Sequence, residues 1–295
     1  MRWRTSLWPR PSKAAGEPRR GLRGTQRLGI VAGLVAVLLV SLVSAAFAGA
    51  FAGQTPAAAA TPARAPHRAA PAAPKPHPTG HARPAAARRG LRTSCTSVAH
   101  IGDSTSVGMV SAQWLPDAAQ RLAAQYRDVG VRHALIDASG GRSIVEEMPA
   151  QVNGFRVASG WHNAGFRGCW VIALGTNDIA NIAAGSNVGA AARIAEMMSA
   201  AHGEPVMWVN TQTDLSSGPW SESNMQQWNK ALVQAAKHYP NLRIFNWAGM
   251  VRPAWHLPDG IHYTSAGYAI RAAAIAHALA RAFPAGGHST RTLVN

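Results

Sequence analysis

From about residue 94 onward, five short apolar runs alternate with longer helical patterns, and this alternation limits the folds open to the chain. The apolar runs cover residues 97–103, 131–137, 169–174, 205–211 and 242–247. Helical patterns lie near 112–127, 187–201 and 221–238, and a last one, SAGYAIRAAAIAHALARAF, spans about 264–283. Tyr239-Pro240-Asn241 stops the third of these and begins a turn. Strands that alternate with helices pair in parallel through crossover connections. The expected fold class is therefore α/β, a three-layer αβα sandwich. Such sheets carry their sites beyond the carboxyl ends of the strands.

The chain before residue 93 has a different texture. Residues 1–27 hold eight basic side chains, among them Arg19, Arg20, Arg23 and Arg27. Residues 28–53, LGIVAGLVAVLLVSLVSAAFAGAFAG, carry no charge. About 20 apolar residues span a bilayer as a helix. The basic flank sets the N-terminus in the cytoplasm and everything downstream outside. Ala46-Phe47-Ala48 and Ala48-Gly49-Ala50 resemble cleavage sites, so the run reads either as a transmembrane anchor or as a signal sequence. Either way the downstream residues are exported, as a single-pass membrane protein with its domain outside or as a secreted one. Residues 54–92 are nearly all Ala, Pro, Arg, His and Gly, a composition that builds no core and reads as a linker. The expected organisation is a basic segment 1–27, an anchor or signal 28–53, a linker 54–92, a catalytic domain 93–286 and a tail 287–295.

The formal charge of +16 would suit a nucleic-acid binder, but its distribution does not. Residues 1–92 hold 15 Lys/Arg and one acid, Glu17, whereas residues 93–295 hold 14 Lys/Arg and 12 Asp/Glu. A nucleic-acid reader carries its basic patch on the folded domain. No nucleic-acid partner is expected. The two cysteines, Cys95 and Cys169, form neither a disulfide scaffold nor a zinc pattern.

Four polar blocks end or follow the apolar runs. Gly102-Asp103-Ser104 closes the first, where a serine on a tight turn is exposed to a cleft. A serine hydroxyl is a weak nucleophile until a base takes its proton. Asp259-Gly260-Ile261-His262 supplies that base before the last helix, with a carboxylate three residues away to fix the imidazole tautomer. Gly175-Thr176-Asn177-Asp178 follows the third run, where an asparagine amide can donate to a developing oxyanion. Ser139-Gly140-Gly141-Arg142-Ser143 follows the second, where a glycine N–H can do the same. Each block alone is an ordinary turn. Together they hold the groups that acyl transfer requires.

In order and in content these blocks resemble the SGNH (GDSL-type) hydrolases over about residues 95–284. The resemblance implies a flavodoxin-like fold with five parallel strands in the order 2-1-3-4-5. It implies Ser104 as nucleophile, His262 as general base and Asp259 as its orienting carboxylate. The oxyanion hole would be the Ser104 N–H, the Gly141 N–H and the Asn177 amide, with Gly140 as rival to Gly141. Asp103 shapes the turn. No cofactor and no metal are needed, and the partner is an acyl-ester substrate; the export read from residues 28–53 points to envelope carbohydrate or lipid as its carrier.

In that strand order the run that follows Cys95 and the run that begins at Cys169 are neighbours, and an exported domain favours a Cys95–Cys169 disulfide over two buried thiols. Trp208, Trp228, Trp247 and Trp255 read as core or cleft wall, and His100 as a core histidine. The loop from 140 to 168 and the segment 214–223 shape the cleft. An acyltransferase using the same triad on an envelope sugar, or a non-catalytic binding module, are the alternatives to an esterase.

Overall fold

The computed structural model describes residues 90–287 and 292–295. The expected basic segment 1–27, the run 28–53 and the linker as far as residue 89 lie outside the described residues. The chain divides into two units, Met1–Gly80 and His81–Asn295, and only the second holds described residues. Among these, no helix is long and apolar enough to cross a membrane.

The sheet strands are β1 (Ser97–Gly102), β2 (His133–Ala138), β3 (Cys169–Ala173), β4 (Val206–Val209), β5 (Leu242–Phe245) and β6 (Leu293–Val294). All pair in parallel, in the order β2-β1-β3-β4-β5-β6. The helices are α1 (Ser104–Val110), α2 (Leu122–Asp128), α3 (Gly154–Asn163), α4 (Thr176–Ala183), α5 (Ala190–Ala200), α6 (Glu222–Ala235) and α7 (Ser265–Ala282).

Strand side chains alternate between two cores, as the pleat requires. Val98, Val171, Met207 and Phe245 pack with Met109 of α1, Tyr126 of α2, and Ile275 and Leu279 of α7. Ile101, Ile172, Trp208 and Ile244 pack on the other face with Val157, Ile179, Met197 and Trp228 of α3 to α6. The result is the expected three-layer sandwich. Central strands β3 and β4 are buried throughout, as parallel strands covered on both faces must be. Edge strand β2 is largely exposed.

The alanine content of α7 suits both its length and its burial. Alanine has the highest helix propensity, and Ala272, Ala276, Ala278 and Ala280 let the helix lie close against the sheet. Thr264 caps it, accepting the Gly267 N–H at 3.2 Å.

The structure departs from the expected elements in four places. A sixth strand extends the sheet beyond residue 286, so the five-strand count is corrected. Leu293 and Val294 pair with Ile244 and Phe245, a two-residue strand too short to register as an apolar run. The pattern near 112–127 is broken, with only α2 and a 3-10 turn at Ala118–Gln120 helical. Pro116 disfavours helix at Leu115, and Asp117 caps the turn by accepting the Ala119 N–H. The stretch 140–168 holds helix α3 rather than loop alone. Helices α1 and α4, which begin inside the Gly-Asp-Ser and Gly-x-Asn-Asp blocks, have no counterpart among the expected patterns.

Cys95 and Cys169 are joined by a disulfide, with Cα atoms 5.7 Å apart. The bond sits at the amino end of β3, the end of the sheet remote from the Gly102 turn. Closing a loop across a sequence separation of 74 removes unfolded-state entropy worth about 4 kcal/mol on the chain-entropy model.

Candidate active site

In the sheet register Gly102 lies level with Ala138 and with Ala173. The turns after β1, β2 and β3 therefore leave the sheet at one height and share its carboxyl edge. Asp103, fully buried, caps α1: its Oδ1 accepts the Thr105 N–H at 2.8 Å and the Thr105 hydroxyl at 2.7 Å. Burial raises the Asp103 carboxyl, and the two Thr105 hydrogen bonds oppose that rise. Ser104 is half-buried at the first position of α1. A helix leaves its first N–H groups without intrahelical acceptors, so the Ser104 N–H is available to a ligand.

The turn bearing His262 lies between β5 and α7. It is closed by the Leu257 N–H to the His262 carbonyl at 2.8 Å and by the bridge between His256 and Tyr263. Asp259 Oδ1 accepts the backbone N–H groups of Ile261 and His262, each at 2.9 Å. Its Oδ2 lies 2.7 Å from His262 Nδ1. Burial pushes the Asp259 carboxyl up, but the bonds from His262 and the two N–H groups outweigh it and hold the group at about 2. Burial pushes His262 down. The hydrogen bond and charge of Asp259, helped by the charge of Asp103, more than reverse this, and the imidazole stands above its ordinary value. The charges of Asp103 and His262 act on each other, each favouring the other's ionised form. Among the described residues, no hydrogen bond joins Ser104 Oγ to His262. Catalytic hydrogen bonds in unliganded sites often tighten only when substrate binds.

Gly141 has φ +70°, a region that side chains with a Cβ avoid. A Cβ there would also lie 2.5 Å from Met148 Sδ. Arg142 comes next, with its guanidinium buried. It donates to the Asp137 carbonyl and to Asp137 Oδ1, each at 2.9 Å, which ties the turn to the end of β2. The Arg142 carbonyl accepts Asn177 Nδ2 at 3.0 Å. Gly141 and Asn177 are thus brought to one place. Gly175 opens the Asn177 turn with φ +136° and lies hard against the Trp228 indole, where a Cβ would come within 2.1 Å of Nε1.

Beneath these turns lies a buried ion network that sequence reasoning missed. Arg193 of α5 is fully buried and uses all five of its donors. Nε donates to the Val188 carbonyl at 2.8 Å. Nη1 donates to Asp178 Oδ1 at 3.0 Å and Glu146 Oε2 at 2.5 Å. Nη2 donates to Ser186 Oγ at 2.8 Å and to Glu146 Oε1. Asp178 Oδ1 also accepts the Ile144 N–H at 2.8 Å, and Glu146 Oε2 accepts Ser143 Oγ at 2.8 Å and Asn181 Nδ2 at 2.9 Å. Burial raises Asp178 to about 7, despite the Ile144 N–H and the nearby Arg193. Burial also pushes Glu146 up, but hydrogen bonds from Arg193, Ser143 and Ser186 prevail and bring it to about 2. The network fastens the turn after β2 to helix α4, whose second residue is Asn177. One signal in the sequence marks it: Arg193 sits four residues before Met197, on the stripe of α5 that Ile194 and Met197 otherwise make apolar.

The connection from β4 to α6, residues 210–221, folds back on itself. Thr213 Oγ1 donates to the Trp220 carbonyl at 2.6 Å, and the Thr213 N–H donates to Glu222 Oε2 at 3.0 Å. The Asp214 N–H reaches the Gly260 carbonyl of the histidine turn at 2.7 Å. Trp220 Nε1 donates to Asn177 Oδ1 at 3.3 Å.

His100 is fully buried on β1, bonded to the Tyr126 hydroxyl at 2.9 Å and to Ser106 Oγ at 3.4 Å. Burial, then the charge of Arg271, lowers it to about 3, so it is neutral and belongs to the core. Trp208, Trp228 and Trp247 are fully buried, and Trp255 stacks on Trp247 with ring centroids 5.9 Å apart. Among the described residues no group of His, Cys, Asp and Glu side chains could hold a metal ion.

The chain is a hydrolase of α/β architecture acting on ester bonds, as its family match shows. A model of the GDSL-like lipase/acylhydrolase family matches residues 100–270, more than half of the chain, and the chain belongs to that family. Solved structures with similar folds include a carbohydrate acetylesterase family member from Sinorhizobium meliloti, 16% identical with a TM-score of 0.49, over 63% of this chain and 95% of that one. Another is an inhibitor-bound aryl esterase from M. smegmatis, 16% identical with a TM-score of 0.47, over 61% and 96%. A third is the C-terminal catalytic domain of a Streptococcus pneumoniae peptidoglycan O-acetyltransferase, 16% identical with a TM-score of 0.42, over 62% and 89%. No curated protein matches the chain.

Proposed function

We propose that this ester hydrolase works through an acyl-enzyme on Ser104, with His262 as general base and Asp259 orienting it, on acyl esters of envelope carbohydrate or lipid outside the cytoplasm. The observation that carries the reading is the 2.7 Å pair of His262 Nδ1 and Asp259 Oδ2. A carboxylate there holds the proton on Nδ1 and leaves the Nε2 lone pair to accept the Ser104 proton. The Ser104 oxygen then adds to the ester carbonyl. The resulting oxyanion is held by the Ser104 N–H, the Gly141 N–H and the second hydrogen of Asn177 Nδ2. The positive φ of Gly141 favours it over Gly140 as the donor, since Gly140 has neither a positive φ nor a close neighbour. Collapse of the adduct sends the His262 proton to the leaving alcohol, and water attacks the acyl-enzyme by the same route in reverse. The export reading is supported by the charge-free run 28–53 behind eight basic residues. The Cys95–Cys169 bond suits an oxidising compartment.

The test is turnover of p-nitrophenyl acetate and longer p-nitrophenyl esters by the purified full-length chain, against Ser104→Ala. The expected result is loss of at least about 10³-fold in kcat with an unchanged circular dichroism spectrum. Equal rates would refute Ser104 as nucleophile. The same comparison on intact cells with a membrane-impermeant ester tests the location: Ser104-dependent turnover that appears only after lysis would refute an external domain.

A further inference from the structure

An amide can act as an oxyanion donor only if its nitrogen, not its oxygen, faces the cleft. Asn177 is held from two sides by groups of opposite kind. An indole N–H only donates and a carbonyl only accepts, so Trp220 Nε1 at 3.3 Å fixes Oδ1 on one side and the Arg142 carbonyl at 3.0 Å fixes Nδ2 on the other. One Nδ2 hydrogen is spent on Arg142, and the remaining one has its direction set by both contacts.

Trp220 is itself held in place. Its carbonyl is anchored by the hydroxyl of Thr213, which is buried, and Glu222, two residues on, clasps the Thr213 N–H. The same loop grips the histidine turn through the Asp214 N–H and the Gly260 carbonyl. Residues 213–222 therefore form a strap with one end on the turn of the general base and the other on the oxyanion donor.

We infer that Trp220 is a positioning residue for this reaction: its indole N–H orients the Asn177 amide toward the oxyanion and acts on catalysis only through Asn177. The inference rests on the oxyanion role proposed for Asn177. The substrate need not touch Trp220. Losing its N–H leaves Asn177 Oδ1 without this donor and frees the amide to swing about its contact with Arg142.

The test is a double-mutant cycle in the full-length protein with p-nitrophenyl acetate, using Trp220→Phe, Asn177→Ala and both together. Trp220→Phe is expected to lower kcat about tenfold, the effect of losing one hydrogen bond, with KM changed less than about twofold. Asn177→Ala is expected to lower kcat by about 10²–10³. In that background Trp220→Phe should add less than about a twofold effect. Replacing Trp220 with benzothienylalanine, which keeps the ring outline but lacks the N–H, should reproduce Trp220→Phe and guards against a folding defect. An unchanged kcat in either Trp220 variant, or a full tenfold loss added on top of Asn177→Ala, would overturn the positioning role. An unchanged kcat in Asn177→Ala alone would instead overturn the oxyanion reading beneath it.

Discussion

Substituting Arg193 by Met removes the guanidinium that bridges Asp178 of helix α4 and Glu146 of the turn after β2. Asp178 would then keep only the Ile144 N–H among its present partners, inside a fully buried site. Breaking a buried pair by removing one partner costs about 3–5 kcal/mol. Two features of the site argue for the lower end. Glu146 is 35% exposed and can take water in place of the guanidinium. Asp178 is already raised to about 7 and can escape its charge by binding a proton. A loss of about 3 kcal/mol lowers the melting temperature of a domain this size by roughly 6–12 °C.

The loss should also depend on pH, with a determined sign. A carboxyl raised in the folded state contributes stability in full below its unfolded value of 3.8 and loses it as pH rises toward about 7. Without Arg193 the folded value rises further, so the loss continues to higher pH. The variant should fall further behind wild type at pH 8 than at pH 5. Thermal melts followed by circular dichroism at both pH values measure this. Arg193→Met with Asp178→Asn should recover part of the loss, because residue 178 then has no charge to be left unpaired. A drop of less than about 2 °C, or a deficit larger at pH 5 than at pH 8, would refute the argument.

Two further predictions concern the site itself. Asp259→Asn removes the charge, and with it the charge-assisted hydrogen bond, that raise His262, so the acid limb of kcat/KM should move to lower pH while kcat falls. The fall should be on the order of 10²–10⁴-fold, softened because the carboxylate is 44% exposed and water can replace it in part. An acid limb that moves up, or does not move, would remove Asp259 from its role. Gly141→Ala forces a Cβ into φ +70° at a cost of about 1–2 kcal/mol, and kcat should fall because the N–H shifts. Gly140→Ala, with open space around it, should leave both stability and turnover as they are, and the two variants assayed side by side decide which glycine matters.

The amino-acid sequence alone determined the layers, because strand–helix alternation leaves a parallel sheet few other ways to be covered. It also marked the residues of the four blocks, because glycine, serine, asparagine, aspartate and histidine at strand ends are costly as packing and useful as chemistry. The pairing of Asp259 with His262 was legible too, since three residues on one turn bring those side chains together by local geometry. What the sequence did not determine comes from contacts distant along the chain. Leu293 and Val294 become a strand only because β5 offers a free edge. Arg193 lies 15 residues from Asp178 and 47 from Glu146, and only the packing of α4 and α5 makes them one network. Trp220 reads as an ordinary aromatic in a loop until the fold sets its N–H against Asn177, 43 residues away. Residue type follows from local demands on backbone and burial, whereas the partner of a buried polar group is chosen by tertiary packing.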